Sequence, residues 1–149
     1  MKIVSKSSDE TVSLGQKLGE QLKGGEVVAL YGDLGGGKTQ FTKGIAKGLG
    51  IEDDIFSPTF VIRRDCKGKE LSLLHYDFYR FEVPDEELIE SLEEGINPEN
   101  VTVIEWAERV EKYLPENTIK VVFRYISESE REIEIEGNGF SAVIPTDPT

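Results

Sequence analysis

The 149-residue sequence contains a single cysteine, Cys66, and no apolar stretch as long as a membrane-spanning helix. One cysteine cannot form an intramolecular disulfide, so nothing in the sequence indicates an oxidising compartment. A bilayer-spanning helix needs about 18 or more apolar residues in succession. The first residues also lack the apolar core of a secretory signal. We therefore expect a soluble, cytoplasmic protein with no membrane association.

Basic residues are also scarce, because 17 Lys and Arg stand against 29 Asp and Glu, for a net charge of −12. Proteins that hold nucleic acid or an anionic membrane unaided neutralise phosphates with Lys and Arg. The charge therefore argues against both of these roles. It leaves open a protein that acts on a bound nucleotide or through a partner protein. The length predicts one domain over residues 1–149.

The hydrophobic pattern predicts helices between the early strands and strands alone near the end. A capping-box sequence at residues 7–10 precedes the first predicted helix. The predicted helices contain residues 11–22, 40–49, 84–92 and 106–113. The predicted strands contain residues 27–31, 60–64, 71–77, 101–104, 119–123, 133–135 and 140–144, the second and third of them as a hairpin. This order indicates an α/β domain with a mixed sheet.

Residues 32–39, GDLGGGKT, match the phosphate-loop pattern GxxxxGK[ST] at every fixed position. The predicted strand before the motif and helix after it are the required context and make a chance glycine-rich turn improbable. Glycines bring backbone N–H groups onto phosphate oxygens, the lysine reaches the β- and γ-phosphates, and the threonine hydroxyl ligates Mg²⁺. No guanine-reading NKxD motif occurs, which favours ATP. The candidate nucleotide-binding residues are Gly32, Asp33, Leu34, Gly35, Gly36, Gly37, Lys38, Thr39 and Gln40.

A phosphate-loop site also needs an acid on the magnesium side and a group that positions the attacking nucleophile. Asp77 and Glu105 each follow an apolar predicted strand, where α/β sheets place ligands. Either carboxylate could instead be a solvated strand end. Strand alternation places His75, the only histidine, on the face of Asp77, where we interpret it as a hydrogen-bonded structural residue.

Three further features are candidates for the site or its surroundings. Thr59, in the sequence Ser-Pro-Thr-Phe, could sense the γ-phosphate through Mg²⁺, although a proline turn entering the hairpin is the alternative. Trp106 directly follows Glu105 and is expected to be partly buried near the nucleotide. Arg80 and Arg109 could reach phosphates, but surface ion pairs with the many glutamates are more probable.

Four motifs together resemble the TsaE family, earlier known as YjeE, in their order and spacing. They are the phosphate loop at residues 32–39, SPTF at residues 57–60, HYDFYR at residues 75–80 and IEWAE at residues 104–108. The resemblance implies a P-loop NTPase-like three-layer fold with a mixed central sheet and an antiparallel strand-rich C-terminal part. It also implies a cytoplasmic ATPase that associates with the TsaB–TsaD pair in threonylcarbamoyladenosine modification of tRNA, without strong tRNA binding of its own.

Matched residue by residue, the resemblance implies that Lys38 holds phosphates and that Thr39 and Glu105 hold Mg²⁺. Asp77 would assist the water or the metal, Thr59 would be switch-like, and Trp106 would lie beside the site. Two positions depart from the family pattern: Gly36 stands where alanine is usual, and Gln40 where threonine is frequent. Neither removes a ligand. A nucleotide-dependent assembly switch with little hydrolysis and a small P-loop kinase remain alternatives.

Overall fold

The continuous apolar run at residues 27–31 forms the central strand of a seven-stranded sheet. The computed structural model describes residues 2–32, 37–52, 63–78 and 86–137. The strands are β1 (Lys2–Ser5), β2 (Val27–Gly32), β3 (Arg63–Lys67), β4 (Ser72–Asp77), β5 (Asn100–Glu105), β6 (Ile119–Tyr125) and β7 (Arg131–Glu136). The α-helices are α1 (Ser8–Gln21), α2 (Lys38–Gly48) and α3 (Glu86–Gly95).

The centre of the sheet is parallel and both of its edges are antiparallel, in the strand order β1-β7-β6-β2-β5-β4-β3. Strand β2 pairs in parallel with β5 and β6, and β4 pairs in parallel with β5. At one edge β3 runs antiparallel to β4, and at the other β7 and β1 continue the sheet in antiparallel fashion. Parallel strands are normally buried on both faces, and residues 27–30 of β2 and 101–105 of β5 are all buried. The predicted mixed sheet and antiparallel C-terminal part are confirmed.

Two hydrophobic clusters lie on opposite faces of the sheet and give the domain three layers. On one face, residues from α1 and α2, including Leu18, Phe41 and Ile45, pack on Val28 and Val103. On the other face, α3 and the segment after β5 cover the sheet. The buried residues of this second cluster are Val27, Ala29, Leu74, Tyr76, Phe78, Leu92, Ile104, Ala107 and Val110. The predicted three-layer α/β fold is therefore confirmed.

Helix α1 begins at the predicted capping sequence. Ser7 is the N-cap, and its side chain accepts a hydrogen bond from the Glu10 backbone N–H at 3.0 Å. The Glu10 carboxylate reaches back to the backbone N–H of Lys6, one residue before the cap. Both contacts satisfy N–H groups that have no partner inside the helix.

Helices α1 and α2 pack closely because glycines face each other across their contact. A Cβ atom on Gly44 would lie 2.0 Å from the Val12 carbonyl oxygen, and one on Gly15 would lie 2.2 Å from the Phe41 carbonyl oxygen. Gly19 and Gly48 are equally crowded by backbone of the opposite helix. The glycines therefore fix how near α2, which carries Lys38 at its start, lies to α1.

The predicted elements do not all match the observed ones. The helix predicted over residues 106–113 is wrong: two 3₁₀ turns, Ala107–Arg109 and Glu111–Tyr113, stand there instead. Trp106 has a left-handed φ of 60°, and Val110 between the turns has a φ of −127°, so an α-helix cannot run through them. Strand β1 was not predicted, because four residues are too few to show a pattern. The strand predicted at residues 140–144 lies outside the described residues.

The longest helix among the described residues is α1, with 14 residues. In that part of the chain, no helix is long and apolar enough to span a bilayer.

Candidate nucleotide-binding site

The carboxyl ends of three parallel strands meet at one edge of the sheet and bring the predicted site residues together. Gly32, Asp77 and Glu105 are the last residues of β2, β4 and β5. Asp77 is directly opposite Glu105 in the strand register, and Leu30 is opposite Glu105 on the other side. Ligands of open α/β sheets bind at this edge.

The two described ends of the phosphate loop have backbone conformations that favour glycine. Gly32 has a φ of 132° and Gly37 a φ of 99°. A Cβ atom on Gly32 would also lie 2.4 Å from the Phe123 carbonyl oxygen. These two glycines are therefore required by the path of the chain. The remaining predicted loop residues, Asp33, Leu34, Gly35 and Gly36, lie outside the described residues.

Thr39 and Glu105 are 66 residues apart in sequence but share a hydrogen bond. The Thr39 hydroxyl donates to Glu105 Oε1 at 3.1 Å. Glu105 is only 3% exposed, so it is not the solvated strand end that was the alternative. A hydroxyl and a carboxylate are the hard oxygen ligands that Mg²⁺ prefers, and Mg²⁺ in nucleotide sites typically takes one or two protein ligands beside phosphates. The donor set at this position therefore fits Mg²⁺.

The second oxygen of Glu105 contacts the only histidine of the chain. His75 Nε2 lies 2.6 Å from Glu105 Oε2, and the His75 side chain is fully buried. The sequence favoured a hydrogen-bonded strand residue, and the structure places that hydrogen bond on Glu105. This contact was missed because it depends on β4 and β5 being neighbours, which the sequence alone did not establish.

Lys38 lies between the loop backbone and an aromatic ring. Its Nζ donates to the Gly32 carbonyl oxygen at 2.6 Å and lies 3.7 Å from the centroid of the Trp106 ring. A cation over an indole face is stabilised by the ring quadrupole. Trp106 is the one non-glycine residue with positive φ in the described part of the chain, a costly conformation for a bulky side chain. This conformation turns the chain after Glu105 and places the indole at Lys38.

The segment after Trp106 is held to the sheet by two hydrogen bonds to Glu111. The Tyr31 hydroxyl and Lys120 Nζ each donate to Glu111 Oε1 at 3.2 Å. Burial, followed by the nearby carboxylates of Glu111 and Glu108, raises the pKa of Tyr31 above its usual range. The Tyr31 hydroxyl therefore stays protonated at neutral pH and continues to donate to Glu111.

The other predicted residues differ in position. Asp77 is partly buried and lies beside Glu105, and Gln40 is the third residue of α2. Among the described residues, Arg109 has no ion pair of the kind expected, and its Nε is buried without a hydrogen-bond partner. Thr59 and Arg80 lie outside the described residues. No group of three or more His, Cys, Asp or Glu side chains in the described chain could hold a metal by itself.

Known proteins of one family match this chain over most of its length. The family model described as "Threonylcarbamoyl adenosine biosynthesis protein TsaE" matches residues 5–133. The TsaE protein of Treponema pallidum is 40% identical over 135 residues, which cover 91% of this chain and 99% of the relative. The TsaE protein of Bacillus subtilis is 40% identical over 125 residues, covering 84% and 78%. A crystal structure of Bacillus subtilis YdiB superposes with a TM-score of 0.78 at 34% identity, covering 93% and 86%.

The mixed sheet, the crossing helices and a phosphate-loop sequence at the carboxyl edge of the parallel strands define a P-loop NTPase-like protein. Within this class, the chain belongs to the TsaE family. The family resemblance expected from the four sequence motifs is thereby confirmed.

Proposed function

We propose that this protein binds and hydrolyses ATP as a component of the machinery that makes threonylcarbamoyladenosine in tRNA. The observation that carries the proposal is the hydrogen bond between Thr39 and Glu105. It joins the threonine of the phosphate loop to an acid on a neighbouring strand, at the edge where Lys38 also lies. Such a pair is the usual protein half of a magnesium–nucleotide site.

Each residue has a separate task in the proposed site. Backbone N–H groups at the start of α2 and the Lys38 ammonium would hold the nucleotide phosphates. Thr39 and Glu105 would hold Mg²⁺, which when bound neutralises charge on the phosphate oxygens. Lys38 donates to the Gly32 carbonyl, and because an ammonium has three hydrogens it can also donate to a phosphate oxygen when ATP binds. Asp77, beside Glu105, would orient the water that attacks.

The proposed place of this activity is with TsaB and TsaD. The relatives carry the description "tRNA threonylcarbamoyladenosine biosynthesis protein TsaE", which supports the pathway. A net charge of −12 supports action through protein partners, because the chain cannot neutralise many tRNA phosphates by itself. ATP hydrolysis by this protein would then support turnover of the TsaB–TsaD transferase, and the transfer of the group would be left to its partners.

Substitution of the phosphate-loop lysine tests the proposed ATPase. We expect Lys38→Ala and Glu105→Ala each to reduce ATP hydrolysis at least about 100-fold, because each removes charge stabilisation in the transition state. Release of inorganic phosphate by the purified protein should be measured alone and with TsaB and TsaD. Lys47→Ala is the matched control, because Lys47 lies on the same helix but is exposed. Wild-type rates in the Lys38 or Glu105 variants would contradict the site.

A further inference from the structure

The two carboxylate oxygens of Glu105 contact different residues. Oε1 accepts from the Thr39 hydroxyl at 3.1 Å, and Oε2 lies 2.6 Å from His75 Nε2. Glu105 and His75 are both almost completely buried, with side-chain exposures of 4% and 0%. The direction in which Glu105 presents Oε1 is therefore set by what holds Oε2.

When Glu105 is ionised, chemistry decides which of the two atoms, Glu105 Oε2 or His75 Nε2, carries the hydrogen of this contact. An ionised carboxylate is only an acceptor, so His75 Nε2 must carry the hydrogen and donate it. His75 Nδ1 has no hydrogen-bond partner in the part of the chain that the structure describes. A hydrogen on Nδ1 would be an unpaired buried donor, which is costly. The geometry therefore places the hydrogen of this contact on Nε2.

We propose that His75 is a positioning residue that orients Glu105 so that Oε1 faces Thr39 and the Mg²⁺ that accompanies the nucleotide. The inference rests on the proposed function, since it assigns a task within the same site. It goes beyond that function because it distinguishes the residues that would hold the ion from the residue that orients one of them. Thr39 and Glu105 would hold the ion, and His75 would hold only the carboxylate.

A purely structural role explains the position less well. Leu73 and Val103, next to His75 on the same face of the sheet, are apolar and fully buried. An apolar side chain at position 75 would bury surface equally well without a polar atom to satisfy. The only hydrogen bond that the ring makes among the described residues goes to Glu105. Groups that hold a ligand of a metal in this way typically change metal affinity by about 10–100-fold when removed.

The single histidine allows a direct test on the wild-type protein. A long-range ¹H–¹⁵N correlation spectrum of the unmodified chain contains one imidazole ring and needs no assignment by mutation. We expect Nε2 to carry a hydrogen in the free protein, and also with Mg²⁺ and ADP bound. A ring protonated at Nδ1 alone would overturn the proposal, because Nε2 could then not donate to Glu105.

Two amide variants of His75 test whether its contact with Glu105 affects binding of the metal ion. In His75→Gln the side-chain amide nitrogen reaches about as far as Nε2, whereas in His75→Asn it stops short. Binding of ADP should be measured by calorimetry with Mg²⁺ and again with EDTA, and Mn²⁺ binding by electron paramagnetic resonance. We expect His75→Asn to weaken Mg²⁺- and Mn²⁺-dependent binding about 10–100-fold. ADP binding in EDTA should change less than about threefold, and His75→Gln should recover most of the loss.

Thr102→Val is the control for disturbance of the strands. Thr102 is buried on β5, its hydroxyl has no partner among the described residues, and strand alternation places it on the opposite face of the sheet from Glu105. This variant should bind Mg²⁺ and ADP like the wild type. An equal loss for His75→Asn with and without the ion, or equal binding by the Asn and Gln variants, would overturn the role of His75. Absence of ATP hydrolysis in the wild type would instead overturn the proposed function.

Discussion

Asp77 and Glu105 are neighbours in the strand register, yet their surroundings differ. Glu105 is buried and its two oxygens contact Thr39 and His75, whereas Asp77 at the end of β4 is only partly buried. A carboxylate already directed at the phosphate-loop threonine is suited to hold the ion. A carboxylate with access to solvent is better placed to orient water. The geometry therefore favours Glu105 as the magnesium-side acid and Asp77 as the water-side acid.

The Asp77→Asn substitution separates these two tasks, because asparagine keeps the volume but loses the basic carboxylate. We expect Mg²⁺-ATP binding within about threefold of the wild type, since Thr39 and Glu105 are intact. We expect kcat for ATP hydrolysis to fall about 10²–10³-fold, as is typical when a residue that orients or deprotonates a nucleophile is lost. Calorimetry with a non-hydrolysable ATP analogue and phosphate release measure the two quantities.

Two results of that experiment would change the interpretation. A loss of binding as large as that of Glu105→Ala would make Asp77 a holder of the ion. If Asp77→Asn binds ATP, hydrolyses none and still supports multiple rounds of tRNA modification with TsaB and TsaD, nucleotide binding rather than hydrolysis is the required event. That outcome would favour the assembly switch that the sequence left open.

The structure brings together candidate site residues that a motif or a strand end specified in the sequence, and their roles in nucleotide binding stay predictions. Lys38 and Thr39 follow from a fixed spacing, and Glu105 follows from the rule that ligands lie at the carboxyl ends of parallel strands. The role of His75 could not be predicted. Its contact with Glu105 joins residues 30 positions apart and needs the order β5-β4 in the sheet. Hydrophobic patterns give strands, but not which strands are neighbours.

At the level of elements, helices α1 and α2 pack closer together than the spacing of their apolar residues alone predicted. The apolar spacing predicted both helices, but the facing glycines at their contact were not recognised as a packing device. Small residues allow backbones to approach where larger ones would separate them. Since Thr39 lies in the first turn of α2, the position of this helix also sets the distance from Thr39 to Glu105.

The Gly44→Ala substitution tests this coupling. Alanine favours helix over glycine by about 1 kcal/mol, but its Cβ would lie 2.0 Å from the Val12 carbonyl oxygen. Backbone cannot move aside as a side chain can, so we expect the clash to dominate and the net loss of stability to reach about 3 kcal/mol. Thermal unfolding should show Tm lower by roughly 6–12 °C.

Lys47→Ala, at an exposed position of the same helix, should change stability by less than about 0.5 kcal/mol. Magnesium-dependent ADP binding should weaken in Gly44→Ala at temperatures where the protein is still folded, because α2 moves relative to β5. A higher Tm in Gly44→Ala would mean that the helices are free to separate and that helix propensity decides.

The errors at the level of elements have physical causes that lie outside the segments concerned. The 106–113 segment has helical spacing, but Trp106 adopts a left-handed conformation that places its indole at Lys38. The local preference is therefore overridden next to the candidate site. Strand β1 exists because β7 offers it an edge for pairing, as in the register of Ile3 with Ile133. Neither cause is visible in the segment itself.

At the level of the whole molecule, the charge and the pathway of its family have to be compatible. A net charge of −12 produces an unfavourable field for every polyanion, including ATP and tRNA. We expect a nucleotide to be held against this field by the N-terminal end of α2, the Lys38 ammonium and Mg²⁺ at the Thr39–Glu105 pair. A long nucleic acid would instead meet the excess of 29 Asp and Glu over 17 Lys and Arg.

Direct binding of tRNA by this chain alone should therefore be very weak. Non-specific binding by basic proteins has a Kd of about 10⁻⁴–10⁻⁶ M at physiological salt and is driven by release of counterions. We expect no saturable binding of unmodified tRNA tighter than about 10⁻⁴ M in a filter or fluorescence-anisotropy titration, and a salt dependence near zero. The positive control is the same tRNA titrated with the TsaB–TsaD pair, with and without this protein and ATP. A micromolar Kd for the isolated chain that weakens steeply with salt would show that it contacts the tRNA itself. The prediction from the net charge, that the partner proteins and not this chain bind the tRNA, would then be wrong.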